Sequence, residues 1–294
     1  MFAIIGLVVV LGCIVGGYLL EKGNLLVLVQ PSELLIIGGA AAGSVLIGNS
    51  PHILKKLIAC MIGVLKGSPY GAARYLDTLK FLGDFFNTAR KNGLASLEND
   101  IETPENSELL KKHPGFSNDK RALQFFCDTM RTISMGAVGY HELDQVMETD
   151  LEVLHKQSKL PVNAITAVAD GLPGLGIVAA VLGIVITMGA LGGPPEEIGH
   201  KVAAALVGTF LGVLMCYGFF GPLASNMSKQ ADEEAEYFQC LRMAILAYMK
   251  GVPPILALEA ARRAIPDHLR PTFQEMDKAW RTPSGQAPTS EAAA

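Results

Sequence analysis

GLPGLGIVAAVLGIVITMGALGGPPEEIGHKVAAALVGTFLGVLMCYGFFGPLASNMS, residues 171–228, decides the fold. Its first 25 residues and its last 27 carry no Asp, Glu, Lys or Arg. Each run exceeds the roughly 20 apolar residues that span about 30 Å of hydrocarbon. Between them Glu196, Glu197 and Lys201 mark a short polar connection. Working outward, Met1–Leu20 is a third uncharged tract and Leu34–Leu54 a fourth, the latter interrupted by Asn49-Ser50-Pro51-His52. One such helix can hide in a soluble core; four define an all-α membrane protein. The expected spans are 1–21, 34–50, 165–192 and 201–223. Met1–Leu20 reads as a span rather than a cleaved signal, because it lacks a basic n-region and a small-x-small site before Glu21.

The charges sit elsewhere. Of 294 residues, 50% are hydrophobic and 18% charged, with a formal net charge of -4. That composition excludes a disordered chain and leaves no basic footprint for nucleic acid. Ser50–Pro161 holds 14 Lys/Arg and 14 Asp/Glu, and the chain after Leu223 holds 8 and 9. Two polar blocks therefore alternate with paired spans. Lys55, Lys56, Lys66 and Arg74 follow the second tract, whereas Glu21–Glu33 and Gly192–Lys201 carry one Lys each. The positive-inside rule places both blocks and both termini in the cytoplasm. Five cysteines, at 13, 60, 127, 216 and 240, are odd in number and lack C-x-x-C spacing, so neither a disulfide framework nor a metal site is indicated.

Residues 51–164 and 224–281 read as cytoplasmic helices. Tyr75, Leu79, Leu82 and Phe86 recur at helical spacing within Ala72–Ala89. Glu98–Leu110 is acidic and broken at Pro104, and Lys120–Thr149 is a long periodic run. Lys229–Lys250 starts charged and ends at Pro253-Pro254, after which Ala257–Ala264 restarts a helix. Residues 282–294 are small and polar, and are expected to be disordered.

No enzyme signature emerges. The six histidines are scattered, and no H-E-x-x-H, P-loop or nucleophile-elbow pattern occurs. The run Gly171-Leu172-Pro173-Gly174-Leu175-Gly176 lacks a preceding strand and a Lys, and reads as helix packing. Gly12/Gly16, Gly39/Gly43 and Gly208/Gly212 are G-x-x-x-G pairs that permit close helix approach. At depth within the four tracts the groups the chain offers are hydroxyls, at Ser44, Thr187, Thr209 and Tyr217, open to bonding their own helix carbonyls or to serving an ion. Asp170 sits at the cytoplasmic mouth of the third tract and, with Tyr217, is the candidate pathway mouth. Conduction would then need a carboxylate from another chain. Pro173 and Pro222 are each some twenty residues from a turn at 192–201, which puts them at one depth, either as kinks or as helix ends.

The chain resembles the flagellar stator A subunits of the wider MotA/TolQ/ExbB family. The resemblance rests on Gly16-Gly17-Tyr18, Gln30-Pro31-Ser32-Glu33-Leu34, Ser96–Glu102, Asp170–Gly183 and Val207–Leu223. It implies a ring, five A subunits around a dimer of B subunits, in the bacterial inner membrane. The B subunit would supply a membrane Asp, and the cytoplasmic loop would push the rotor switch protein. Arg90 and Glu98 match the family's rotor-acting charges, Pro173 and Pro222 its coupling prolines, and Thr209 the hydroxyl facing the B carboxylate. Residue 180 is Ala where sodium-driven relatives tend to carry Thr, which implies proton coupling with no cofactor. The alternative is a TolQ/ExbB-like energiser of an envelope complex, against which four tracts and the Arg90/Glu98 loop argue.

Overall fold

The computed structural model of the chain describes residues 2–136, 138–189 and 191–281. The expectation for 282–294 lies outside them. Every regular element among the described residues is helical. The N-terminal half holds α1 (Phe2–Leu20), the short α2 (Leu25–Leu28), α3 (Pro31–Gly48), α4 (Pro51–Lys66) and α5 (Ala72–Asn92). Three brief α-helices follow in α6 (Glu98–Glu102), α7 (Glu108–Lys111) and α8 (Pro114–Ser117), and then the longer α9 (Lys120–Ser134). Then come α10 (Tyr140–Met188), α11 (Pro195–Leu214), a π-helical segment Met215–Phe220, α12 (Gly221–Met249), α13 (Pro254–Arg263) and α14 (Phe273–Arg281).

The chain forms two compact units: residues 1–68 with 156–231, and residues 69–155 with 232 onward. Among the described residues, four helical stretches are long and apolar enough to cross a membrane, within Ala3–Leu20, Leu25–Gly48, Tyr140–Met188 and Pro195–Met249. Their outer surface is apolar: Leu20 is 85% exposed and Ile47 90%, with Val8, Leu35 and Leu206 also exposed. Such a surface suits lipid or neighbouring helices.

Glycine sets how α10 and α11 pack. A Cβ on Gly176 would lie 2.8 Å from the Gly208 carbonyl oxygen, and one on Gly212 would lie 2.6 Å from that of Leu172. A Cβ on Gly183 would meet the Ala205 Cβ at 2.7 Å. The Gly208/Gly212 pair is thus used inside the chain, backbone against backbone. At Gly12, Gly16, Gly39 and Gly43 a Cβ would have no neighbour within 4 Å.

The connection between α10 and α11 is displaced from 192–201. Pro195 takes the first helical turn, where its missing N–H costs nothing, and Glu196 and Glu197 face the positive helix end. Lys201 then pairs with Glu197 at 2.8 Å. At the other end of the pair, Pro161 within α10 deprives the Gln157 carbonyl of its helical donor, and Lys56 Nζ of α4 donates to that oxygen at 2.9 Å. Lys159 Nζ donates to Ser228 Oγ at 2.8 Å, tying α10 to α12.

The second unit has a conventional core. Tyr75, Leu79, Leu82 and Phe86 on α5 are buried, as the periodicity predicts. Phe81 stacks on Phe116 with centroids 4.4 Å apart, and Phe86 on Tyr248 at 4.7 Å. Such pairs stabilise by about 0.5–1.5 kcal/mol beyond area burial. Arg74 lies over the rings of Tyr70 and Tyr237 at 4.6 and 4.7 Å and pairs with Asp119.

Candidate functional site

Of the four hydroxyls, two are committed. Ser44 Oγ donates to the Ala41 carbonyl and Thr187 Oγ1 to that of Gly183, each at 2.8 Å. Thr209 and Tyr217 make no side-chain hydrogen bond among the described residues, and Tyr217 is 73% exposed. Those two are the ones able to bond something outside the chain.

Ala180 is buried on α10. Its backbone nitrogen and the Ala179 Cβ both lie 3.2 Å from the point where a Cβ on Gly208 would sit. Thr209 follows Gly208, about 100° further round α11, at the same depth. Ala180 and Thr209 therefore share one level of the α10–α11 pair. Asp170 and Tyr217 flank Leu172 and Cys216, which belong to one buried cluster, and both are exposed.

The two prolines are not at one depth. Pro173 follows Leu172, whose carbonyl faces Gly212. Pro222 precedes Ala224, which packs in a cluster with Val162, Ala164 and Ile165. Along α10 the two levels differ by eight or nine residues, about 13 Å of helix. The sequence estimate counted from a turn at 192–201, whereas α11 starts at Pro195. Pro173 lies inside α10 and removes the donor for the Ala169 carbonyl. Pro222 follows the π-helical segment after one residue, Gly221, whose N–H donates to the Cys216 carbonyl. A π turn accommodates the proline by shifting the bonding partner one residue back, and such segments recur at functional sites. Gly218 brings the segment against α1, since a Cβ there would lie 3.1 Å from Val10 Cγ1. Pro222 itself is exposed in an apolar cleft lined also by Leu7, Leu11, Met61 and Phe219.

Glu33 is the residue that sequence reasoning passed over. The second tract, read from Leu34, has no carboxylate, but the apolar helical stretch Leu25–Gly48 contains Glu33. Glu33 is 5% exposed, and its Oε2 lies 2.6 Å from the position of a Cβ on Gly208. The available signal was Pro31, a helix-starting residue, which moves the helix start ahead of Glu33.

In the second unit, Arg90 lies in the last turn of α5 and Glu98 opens α6. Gly93, at φ 82°, ends the helix between them, so they are not two turns apart on one helix. Both are exposed, and neither forms an ion pair among the described residues. Burial of Leu97 and Ile101, and the Arg131–Glu102 pair at 2.6 Å, fix the segment that presents Glu98. His113 is fully buried, with Nδ1 3.2 Å from Asp77 and Nε2 3.3 Å from Asp84. Burial alone would lower its pKa, but hydrogen bonds and charge from the two carboxylates outweigh it, and the net direction is upward.

Residues 4–93 match the family described as motility protein A N-terminal, and residues 119–240 match the MotA/TolQ/ExbB proton channel family. The chain is 39% identical to chemotaxis protein LafT of Vibrio parahaemolyticus, over 93% of this chain and 96% of that one. It is 36% identical to motility protein A of Escherichia coli, over 99% and 100%. Its fold is similar to the solved MotAB of C. jejuni, with a TM-score of 0.74 at 21% identity over 90% of this chain and 95% of that one. The flagellar MotAB stator complex of Bacillus subtilis gives a TM-score of 0.70 at 19% identity, over 92% and 98%. The chain belongs to the MotA/TolQ/ExbB proton channel family, on its motility protein A side.

Proposed function

We infer that the chain is the A subunit of a proton-driven flagellar stator, coupling ion flow through a complex with a B subunit to torque on the rotor. The observation that carries this is full-length similarity to motility protein A, joined to a four-span helical unit whose free hydroxyl, Thr209, lies level with Ala180. The match of residues 4–93 to the motility protein A N-terminal family favours a stator over a TolQ/ExbB-like energiser.

The division of labour follows from chemistry. Thr209 can donate to a carboxylate or accept from a carboxylic acid, so it serves a B-subunit acid in either protonation state. Ala180 offers no side-chain oxygen, whereas a sodium ion needs several oxygens to replace its hydration water; the transported ion is the proton. Pro173 and the π segment before Pro222 leave α10 and α11–α12 with weakened backbone bonding where a helix must bend. Arg90 and Glu98 act on the rotor switch protein. Five A chains surround a B dimer in the inner membrane, with both termini cytoplasmic.

The test is reconstitution in liposomes. The chain with its B subunit should take up protons under an imposed potassium diffusion potential, and B lacking its membrane Asp should not. Equal uptake by both complexes would overturn the assignment.

A further inference from the structure

The buried carboxyl of Glu33 has no role in the reading above. It stands in the first turn of α3, after Pro31. On α10 its level, that of Ala179 and Ala180, is about 12 Å inward from the helix end at Met188. On α11 its level, that of Gly208, is about 20 Å inward from Pro195. A residue that the sequence sets at the outer edge of a span is therefore deep between three helices.

Its Oε2 is buried without a hydrogen-bond partner. No side-chain capping bond closes on Gln30, the use that an acid three residues into a helix commonly finds. The ionisable groups on the facing helices lie elsewhere. Lys201 is seven residues outward from Gly208 and is paired with Glu197. Glu196 and His200 are also outward; Cys216 is eight residues inward; Asp170 is ten residues inward from Ala180. Among the described residues no cation pairs with Glu33. An isolated ionised carboxylate is disfavoured in an apolar site, while the α3 N-terminus offers partial positive charge. Those opposed effects suit an acid that changes protonation state. Gly208 makes the slot, because a side chain there would collide with the carboxyl oxygen.

We propose that Glu33 is a proton-carrying group of the conduction path at the level of Thr209, taking its proton from the outer side and handing it on beside Thr209. The proton binds Oε2 of the carboxylate and leaves to the carboxylate supplied by the B subunit, so no other bond changes. This rests on the proton-channel reading and adds to it an acid that the A chain itself provides.

The experiment is proton uptake by liposomes holding the A/B complex, with co-purification of B as the measure of assembly. Glu33→Gln, equal in shape but unable to exchange a proton, should assemble and lose uptake by about 100-fold or more, the scale of removing a positioned proton-transfer group. Glu33→Asp should retain pH-dependent uptake at a reduced rate. Wild-type uptake matched by Glu33→Gln overturns this inference alone; no uptake by the wild-type complex overturns the proton-channel reading with it. Should Glu33→Gln fail to assemble, Gly208→Ala decides, since it displaces the carboxyl without removing it. Slowed uptake is expected there, and uptake equal to wild type overturns the inference.

Discussion

Arg90 and Glu98 act as two separately mounted charges. Each is exposed and unpaired among the described residues, on either side of the Gly93 break. Surface ion pairs contribute about 0–1 kcal/mol, so their removal should leave the fold intact. Arg90→Glu or Glu98→Lys should impair swimming while B still co-purifies in normal amount, and a compensating charge reversal in the rotor should restore part of the speed. Unimpaired swimming in the double reversal with an unchanged rotor would contradict the assignment. His113 behaves differently. Its folded pKa lies above the ordinary value of about 6.5, so its stabilisation is fully present below that pH and is lost as pH rises through the folded value. His113→Gln should therefore cost about 1–3 kcal/mol in acid and less in alkali. Urea unfolding of the detergent-solubilised chain at the two pH values measures it.

At the scale of the element, glycine and proline govern the paired spans. A methyl on Gly212 would meet backbone at 2.6 and 2.8 Å, where no side chain can move aside. Gly212→Ala should destabilise the α10–α11 pair by more than the ~1–3 kcal/mol of ordinary overpacking, read as loss of the assembled complex. Pro173→Ala restores the donor to the Ala169 carbonyl and leaves packing intact, so the complex should assemble yet rotate slowly or not at all. Normal rotation would show that α10 need not bend at Pro173. Sequence periodicity and charge made the spans, the α5 core face and the break at Pro253-Pro254 legible, because each follows from local residue spacing. It misjudged the depth of Pro222, because depth depends on where α11 starts, and Pro195 with two glutamates starts it ahead of Lys201. Glu33 was hidden for the same reason: hydropathy marks a tract's edge, but only the packing of α3 on Gly208 reveals how deep that edge lies. The π segment has no sequence signature apart from Pro222.

For the whole molecule, chain direction and ion identity are the consequences to test. Cysteines placed at Asn24 and Gly193 should react with a membrane-impermeant reagent in intact cells, and one at Lys112 should not. The opposite pattern would invert the topology. Each proton crossing 100 mV releases about 2.3 kcal/mol, enough to shift a hinge but not to break a packed interface. The proposed coupling uses backbone positions already short of an α-helical hydrogen bond, at Ala169 before Pro173 and in the π segment before Pro222. The most direct measurement of the central claim is the rotation of tethered cells driven by this chain and its B subunit, with external sodium replaced by potassium at fixed pH. Rotation speed should be unchanged by the replacement and should collapse when a protonophore dissipates the proton gradient. Rotation that stops without sodium, or persists with the protonophore, would contradict a proton-driven stator.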